Sequence, residues 1–392
     1  MSILLSRRRF LQTTLGGITL VAGGLPLRLA RAASAGDKRL VVVILRGAID
    51  GLAAVVPYGD PSYADARGVM RLPLDDSAMV RLDAYFAMHT ALAPLAQMYA
   101  EKELLVLHAC ATPYRDRSHF DAQNLLENGG VKPHAISTGW LNRATLVLQD
   151  AHEPIAIGPT VPLLLRGQAK VNSWAPSILP SVDSDFLTRV AQMYESDPLL
   201  HEAISGTDIT QPDSMEGGLR GPRAFPGLMQ KTALFLGGES GARIATVELG
   251  GWDSHANQGL ETGRLANNMA QLAEGLAAFK QAMGTAWNET AVLVITEFGR
   301  TVQGNGSGGT DHGTASVAFL LGGSVQGGRV LGDWPGLAQL YQGRDLMPAN
   351  DLRSLLKGTL EQHMGIDEAM LSSDIFPQSA SVRGLPGLFA RS

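Results

Sequence analysis

The sequence RLVVVILRGAIDGL, residues 39–52, decides the fold class. Its first half, RLVVVIL at 39–45, is a continuous apolar run rather than an alternation of apolar and polar residues. Such runs are typical of strands with both faces covered, as in a parallel sheet that carries helices on each side. The polar turn that follows has Asp50 between Ile49 and Gly51, where the strand would end. We therefore predict a buried strand that leads directly into a polar edge.

Further apolar runs and several amphipathic segments extend this pattern along the chain. The runs are ELLVLHAC (103–110), ARIATVEL (242–249), TAVLVITEF (290–298) and ASVAFLLGG (315–323). The amphipathic segments are ALAPLAQMYAE (91–101), SHFDAQNLLENG (118–129) and ETGRLANNMAQLAEGLAAFKQAM (261–283). In the last segment the apolar residues step by four and three, which places them on one face of a helix. Strands and helices in alternation predict a mostly parallel, doubly wound α/β sheet.

The composition fits a large globular protein and argues against a nucleic-acid partner. Of 392 residues, 45% are hydrophobic and 18% are charged, which is enough for a substantial core. The formal net charge is -5 and no basic patch stands out, so we expect no nucleic acid to bind. Cys110 is the single cysteine, which excludes an internal disulfide. Because it follows an apolar run, we expect Cys110 to be a buried small hydrophobe rather than a nucleophile.

The N-terminal segment has the parts of an export signal. SRRRFLQ (6–12) is followed by an uncharged stretch at 13–27 and by the small-residue segment ARAASA (30–35). The order Ser-Arg-Arg-x-Phe-Leu resembles a twin-arginine signal, which directs folded proteins to the twin-arginine translocation machinery. Glycines and a proline interrupt the apolar stretch, so we expect no stable membrane anchor. The expectation is a signal peptide at 1–35 and a periplasmic or otherwise extracytoplasmic protein.

The remaining chain, 36–392, is expected to form a single domain with one insertion. Residues near 181–225 combine a helical piece, DFLTRVAQMYESDPLLHEAIS, with the Gly- and Pro-rich sequence GTDITQPDSMEGGLRGPRAFPG. We interpret this stretch as an insertion or lid rather than as an independent domain.

Residues able to bind a metal or to act on a substrate recur just after the predicted strands. In an open α/β sheet, ligands bind beyond the carboxyl ends of the strands. Asp, Glu and His side chains form the sites of zinc, manganese, magnesium or calcium. Their repetition at one edge predicts a divalent-metal site, because each residue alone is a weak signal. The predicted metal ligands are Asp50, Asp253, His255, Glu297, Asp311 and His312, and the predicted catalytic residues are Arg117, Ser118, His119 and Arg300.

These residues also have purely structural interpretations. Asp253 fits a helix cap as well as a metal ligand, and Ser118 fits the N-cap pattern Ser-x-x-Asp as well as a nucleophile. His119 fits a satisfied histidine at a helix start, and Asp50 fits a turn residue. Glu297, three residues before an arginine, fits an ion pair with it.

Several familiar catalytic motifs do not fit the chain. The sequence GNGSGG (304–309) lacks the Lys-Ser/Thr of a phosphate-binding P-loop, so we interpret it as a loop. Neither Gly-x-Ser-x-Gly nor His-Glu-x-x-His occurs, which argues against an α/β-hydrolase triad and against a zincin.

Motifs taken in order along the chain give it a family resemblance. VVVILRGAIDGL, YRDRSHFDAQ, ELGGWDSHANQ, VITEFGRT and GTDHG together resemble the bacterial family catalogued as domain of unknown function 1501. That family is grouped with the alkaline-phosphatase-like superfamily, which includes sulfatases and cofactor-independent phosphoglycerate mutases. The grouping implies an alkaline-phosphatase-like, three-layer α/β/α sandwich with a metal-assisted site at the strand ends. It implies no particular reaction.

The superfamily pattern also implies roles for individual residues. A late strand of that pattern ends in Asp-His-Gly, and here the corresponding strand ends in Glu297-Phe298-Gly299, so one-metal and two-metal sites both remain open. The implied roles are Asp50 as a metal ligand, Ser118 as the nucleophile, Asp253 and His255 as a second ligand pair, and His312 as the final histidine ligand.

Two functions follow as expectations. The first is an exported, metal-dependent hydrolase of small phosphate or sulfate esters, in which Arg117 or Arg300 would hold a non-bridging oxygen. The second is a non-catalytic extracytoplasmic binding protein on the same fold, which the missing histidine beside Glu297 favours.

Overall fold

The computed structural model describes residues 38–75, 77–149, 152–176, 189, 192–194, 196, 224–238 and 241–390. The predicted signal peptide at 1–35 lies outside these residues, as does most of the insertion predicted near 181–225. Both stay predictions, as does the single-domain boundary at residue 36.

The strands of the described chain are mostly short and buried. They are β1 (Arg39–Leu45), β2 (Val55–Val56), β3 (Met79–Arg81), β4 (Ala87–His89), β5 (Leu104–Ala111), β6 (Ile155–Ile157), β7 (Asn172–Trp174), β8 (Ile244–Leu249), β9 (Thr290–Thr296), β10 (Ser316–Leu321), β11 (Arg329–Leu331) and β12 (Asn350–Asp351).

Helices connect most of these strands. The α-helices are α1 (Gly51–Ala54), α2 (Tyr63–Arg67), α3 (Ala93–Ala100), α4 (His119–Asn128), α5 (Trp140–Leu148), α6 (Phe225–Leu236), α7 (Arg264–Met283), α8 (Leu352–Gln362) and α9 (Glu368–Met370). Short 3-10 turns occupy Gly68–Met70, Thr90–Leu92, Leu163–Leu165 and Gly284–Glu289, and a π-turn occupies Leu371–Ile375. Within the described ranges, no helix is long and apolar enough to cross a membrane.

One large, mostly parallel sheet forms the centre of the fold, as predicted. Its strand order is β11-β5-β10-β9-β1-β8-β6-β7, with β12 beside β5. β1 pairs in parallel with β8 and β9, and β6 and β7 continue the parallel set. β10 runs antiparallel to both of its neighbours, β9 and β5. A smaller antiparallel sheet has the order β2-β4-β3.

Helices cover both faces of the large sheet, which makes the fold a three-layer α/β/α sandwich. Alternate residues of β1 point into two separate cores. Val41, Val43 and Leu45 pack on one face with side chains of α3, α6 and α7, and Leu40, Val42 and Ile44 pack on the other with side chains of α4, α5 and α8. The helical face predicted within 261–283 is confirmed. Its apolar residues Leu265, Met269, Leu272, Leu276, Phe279 and Met283 are all buried.

Cys110 lies in β5 and is buried, as expected. Burial raises the pKa of its thiol to about 12. The thiolate that a nucleophile requires is therefore strongly disfavoured.

The strand directions determine where functional side chains meet. β1, β5, β8 and β9 run in one direction, so their carboxyl ends lie at a single edge of the sheet. β10 runs the opposite way, so its first residues, and the loop before it, reach that same edge. The segment before β10 contains Asp311 and His312.

Candidate metal centre

Loops at this edge bring together four side chains that can bind a metal. His119 is the first residue of α4, Asp253 and His255 lie in the loop after β8, and His312 precedes β10. One ligand atom each from His119, Asp253 and His312 lies within 4.8 Å of the others, so these residues form a group that could hold a metal ion.

The Nε2 atom of His312 lies at the centre of the group. It is 3.0 Å from Nε2 of His119 and 2.9 Å from Nε2 of His255. It is also 3.3 Å from Oδ1 of Asp253. The Asp253 carboxylate spans the remaining ligands, with Oδ1 3.0 Å from Nε2 of His255 and Oδ2 3.5 Å from Nε2 of His119. Nε2 of His312 therefore lies beside both other histidines, and the carboxylate of Asp253 lies beside all three.

The other ring nitrogen, Nδ1, of each histidine donates a hydrogen bond. Because the acceptors are carboxylate or carbonyl oxygens, they fix the proton on Nδ1, and Nε2 of the neutral ring keeps its lone pair. Histidines that bind metals are held in this way by a second layer of acceptors. The pairs are His119 with Glu297 at 2.8 Å, His255 with Asp311 at 3.0 Å, and His312 with the backbone carbonyl of Arg117 at 3.0 Å.

The chemistry and spacing of these donors fit a single metal ion. Three nitrogen lone pairs and a carboxylate facing one another repel, unless a cation lies between them. Ligand atoms about 2.1 Å from a common ion are about 3.0–3.4 Å apart in tetrahedral or octahedral arrangements. The contacts here span 2.9–3.5 Å. Three imidazoles favour zinc or a similar transition metal over magnesium, calcium or manganese, which prefer oxygen ligands.

The group is open to solvent on one side. The side chains of Asp253 and His255 are 40% and 46% exposed, whereas those of His119 and His312 are 20% and 27% exposed. Structural metal sites are closed by protein ligands, and catalytic sites keep a position that a substrate can reach. The exposed side chains of Asp253 and His255 match the open arrangement of a catalytic site.

The family of the chain follows from its sequence match. A family model described as protein of unknown function (DUF1501) matches residues 102–375, which include His119, Asp253, His255 and His312. The chain belongs to this family. Among curated protein sequences, none matches the chain.

Solved structures resemble this family member only distantly. The C-terminal periplasmic domain of EcEptC from Escherichia coli is 11% identical, with a TM-score of 0.40, over 91% of this chain and 89% of that one. A Bacteroides thetaiotaomicron structure connected with glycosaminoglycan metabolism is 10% identical, with a TM-score of 0.44, over 88% and 75%. The phosphonate monoester hydrolase of Agrobacterium radiobacter is 11% identical, with a TM-score of 0.39, over 84% and 74%. Nothing about the reaction follows from similarities of this size.

Glu297 supports the group instead of joining it. Its carboxylate is buried, and its Oε1 accepts hydrogen bonds from Nδ1 of His119, from Nε2 of Gln123 at 3.0 Å and from the backbone N–H of Gly47 at 2.8 Å. Burial raises the pKa of Glu297, but these hydrogen bonds outweigh it and leave the pKa below its usual value. The hydrogen bond to Glu297 in turn raises the pKa of His119. The structure thus places His119 beside Asp253 and His312, and places Glu297 at the other ring nitrogen of His119.

Arg300 holds the carboxylate of Asp253 in place. Its Nη1 donates to Oδ1 of Asp253 at 2.7 Å, its Nε donates to Oγ1 of Thr310 at 3.1 Å, and its Nη2 donates to the carbonyl of Thr310. Burial raises the pKa of Asp253. The hydrogen bond and the charge of Arg300 lower it by more, so the pKa lies below its usual value. The ion pair is therefore between Arg300 and Asp253, not between Arg300 and Glu297. Asp253 also does not cap α7, whose N-cap is Gly263.

Asp50 has a different role from the predicted one. The residue is buried, and its Oδ2 accepts from Nη2 of Arg67 at 2.8 Å and from Nε2 of Gln258 at 2.9 Å. Its Oδ1 accepts from the backbone N–H of Ala53, which caps α1. Asp50 is thus an ion-pair partner and a helix cap, and both of its oxygens are already engaged.

Arg117 turns its guanidinium away from the group. Its Nε donates to Oδ2 of Asp345 and its Nη2 donates to Oε1 of Gln342, both at 2.7 Å. Its backbone has a φ of 62°, in the left-handed region, which non-glycine residues adopt only under strain. The functional atom of Arg117 is its carbonyl oxygen, which accepts from Nδ1 of His312.

Ser118 occupies the N-cap position of α4 without making a side-chain cap hydrogen bond. The Ser-x-x-Asp pattern therefore places the helix start correctly but does not describe the bonds made there.

The supporting residues were not visible in the sequence. Asn305, within GNGSGG, donates to Oδ1 of Asp311 at 3.1 Å and to the carbonyl of His255 at 2.8 Å. Gln258 accepts from the hydroxyl of Thr310 at 2.7 Å. Gln123, which donates to Glu297, differs from these residues because it had a usable signal. It lies four residues after His119, which places both on one side of a helix.

Proposed function

We propose that the protein is a metal-dependent hydrolase of small phosphate or sulfate esters. The observation that carries the proposal is the solvent-open group of His119, Asp253 and His312, with Nε2 of His255 2.9 Å from His312 and 3.0 Å from Asp253. His119, Asp253, His255 and His312 would hold a divalent transition metal. When bound, such an ion polarises an ester oxygen and lowers the pKa of a water beside it.

The chain's own residues orient and charge this site. Glu297 and Asp311 keep the protons of His119 and His255 on Nδ1, away from the site. Arg300 keeps Asp253 ionised and fixed in place. Because every nitrogen of Arg300 is engaged by Asp253 or Thr310, it is a positioning residue and not a holder of the substrate oxygen.

Water is the nucleophile that this arrangement favours. Ser118 lies at the N-cap of α4, and no carboxylate or ring nitrogen is hydrogen-bonded to its hydroxyl as a base in the part of the chain that the structure describes. A serine without an adjacent base is a weak nucleophile.

A non-catalytic binding protein on the same fold is the second candidate. The observation that favours it is that Arg117 and Arg300 are both engaged inside the protein, so neither guanidinium is free to hold a substrate anion. On this alternative the metal site would bind an anionic ligand without turnover.

Elemental analysis of the purified protein tests the proposal first. We expect the wild-type protein to hold a transition metal, and Asp253→Ala and His255→Ala to lose it. His134→Ala is the matched control, because His134 is an exposed histidine paired with Asp121. Turnover of p-nitrophenyl phosphate or p-nitrophenyl sulfate that disappears with the metal supports the hydrolase. A metal-loaded protein that hydrolyses neither ester nor any related diester supports the binding protein instead.

We further propose that the protein is exported by the twin-arginine machinery, as SRRRFLQ at 6–12 suggests. Replacing Arg7 and Arg8 by Lys should leave the protein inside the cytoplasm of an expressing bacterium. Export that continued unchanged would contradict the proposed pathway.

A further inference from the structure

A second pocket lies at the same edge of the sheet as the metal centre. Residues that follow β1, β6 and β8 line it, among them Arg46, Gly158 and Gly250. Its volume is about 370 Å³, which is within the range of small-molecule sites. β1 lies between β8 and β9 in the sheet. The pocket is therefore displaced from the end of β9 by roughly two strand spacings, about 10 Å. We refer to it as the Thr246 pocket.

A buried polar atom of this pocket has no partner among the described residues. Thr246 lines the pocket and is 1% exposed, and its Oγ1 makes no hydrogen bond to any described residue. A buried hydroxyl without a partner is destabilising, so such groups are rare unless something supplies the missing bond. The Thr246 hydroxyl can both donate to and accept from a ligand.

The charges at the pocket disfavour an anion. The guanidinium of Arg46 is held by Glu127 at 2.6 Å and by Glu248 at 2.5 Å. Two carboxylates against one guanidinium leave an excess of negative charge. Glu248 is 42% exposed, so its carboxylate can also accept hydrogen bonds from ligand hydroxyls.

The remaining walls are apolar. Ile157, Pro159, Pro162 and Leu228 line the pocket. Aliphatic and proline side chains pack against the carbon skeleton of a ligand, and a few polar groups fix its orientation.

We propose that the Thr246 pocket binds an uncharged organic group that carries hydroxyls, such as a sugar ring or another polyol. This assignment rests on the proposed hydrolase function. The bound group would be the alcohol part of the ester, and the metal centre would bind the phosphate or sulfate. The substrate class is then a phosphate or sulfate ester of a polyol.

Binding of neutral polyols tests this directly. The probes are methyl β-D-glucopyranoside, myo-inositol and glycerol, measured by ligand-observed NMR on the full chain. We expect at least one probe to bind. Thr246→Val should weaken that binding about threefold to tenfold, the effect of one lost hydrogen bond. The variant should fold, because it removes a hydroxyl that has no protein partner. Thr359→Val is the control, since Thr359 is buried in α8 and its hydroxyl returns to its own helix.

A second variant blocks the pocket without changing Thr246. A Cβ at Gly158 would meet only the carbonyl of Thr160, at 3.8 Å, so Gly158→Leu has room to fold. We expect it to abolish binding of the probe. Failure of all three polyols to bind, or binding that both variants leave unchanged, would overturn the proposal.

The same measurements on Asp253→Ala separate this proposal from the hydrolase. Polyol binding that survives in a variant without metal confirms the pocket, whatever happens to turnover. Turnover of a polyol phosphate or sulfate ester that Thr246→Val and Gly158→Leu leave unchanged confirms the hydrolase and rejects the assignment of the pocket to the alcohol part of the ester.

Discussion

Replacing Glu297 by Gln removes the charge that orients His119 while keeping the side-chain shape. Glu297 is 1% exposed, and its Oε1 accepts from His119, Gln123 and the N–H of Gly47. A glutamine can keep its carbonyl oxygen at this position. Its amide would then face the hydroxyl of Thr296, which now donates to Oε2 at 3.0 Å and can rotate to accept. The variant therefore tests charge and not packing.

The expected effect is large on metal binding and small on folding. Hydrogen bonds to charged groups contribute about 1.5–3 kcal/mol and neutral ones about 0.5–1.5 kcal/mol, so the free energy of unfolding should fall by about 1–2 kcal/mol. Loss of such a partner behind a metal-binding histidine weakens metal affinity about 10–100-fold. This corresponds to about 1.4–2.7 kcal/mol.

A competition titration against a fluorescent zinc chelator measures this affinity on metal-stripped protein, and thermal unfolding followed by circular dichroism measures stability. Glu274→Gln is the control, because Glu274 is an exposed glutamate of α7. If Glu297→Gln bound zinc as tightly as the wild type, Glu297 would not orient His119 for a metal. If Glu274→Gln weakened binding equally, the effect would be one of net charge.

The remaining predictions concern backbone fit and pH. A Cβ at Gly299 would lie 1.8 Å from the carbonyl oxygen of Ala315, so Gly299→Ala should destabilise the fold by about 3 kcal/mol in denaturant unfolding. A Cβ at Gly250 would meet nothing within 4 Å, so Gly250→Ala should leave the stability unchanged. Equal effects of the two variants would contradict the close packing of Gly299 against Ala315. Burial lowers the pKa of His363 to about 4. Between about pH 6.5 and pH 4, His363 is therefore protonated in the unfolded chain but not in the folded one. The free energy of unfolding should fall as the pH is lowered through this range, by about 2 kcal/mol at pH 5. His363→Gln can still donate to the carbonyl of Arg39 and should remove this loss, and an unchanged pH profile would show that His363 does not titrate in this range.

The fold class was predictable because burial on two faces leaves a direct trace in the sequence. A strand such as 39–45 must be apolar at every position, and α7 must be apolar at every third or fourth position. The direction of β10 could not be predicted, since a buried strand is apolar at every position whether it is parallel or antiparallel to its neighbours. That direction explains why Asp311 and His312, which precede β10, serve the same edge as residues that follow other strands.

The residue types at the site were predictable, but their division into ligands and supports was not. Both His119 and Glu297 were candidates, and nothing in either local sequence shows that the histidine faces the site while the glutamate stands behind it. That division depends on contacts between residues 178 positions apart. The same holds for Arg300, whose partner is Asp253 and not the nearby Glu297.

Asp50 decides how many metal ions the site fits. The resemblance to the superfamily gives Asp50 a metal, but here its carboxylate already has a cation, because the fully buried guanidinium of Arg67 lies 2.8 Å from it. Removing one partner of a buried ion pair costs about 3–5 kcal/mol, since the other charge remains without compensation. A metal ion bound by Asp50 would displace Arg67 and leave its guanidinium buried without a counter-charge.

The same pair is connected to the metal centre. Gln258 bonds to Asp50, Thr310 bonds to Gln258, and Arg300 bonds to Thr310 and to Asp253. This chain of hydrogen bonds runs from the buried Asp50–Arg67 pair to Asp253, so fixed protein charges occupy the place that a second ion would need. The expected content is therefore one equivalent of metal, and a second equivalent bound with similar affinity would show that Arg67 leaves Asp50 when metal is present.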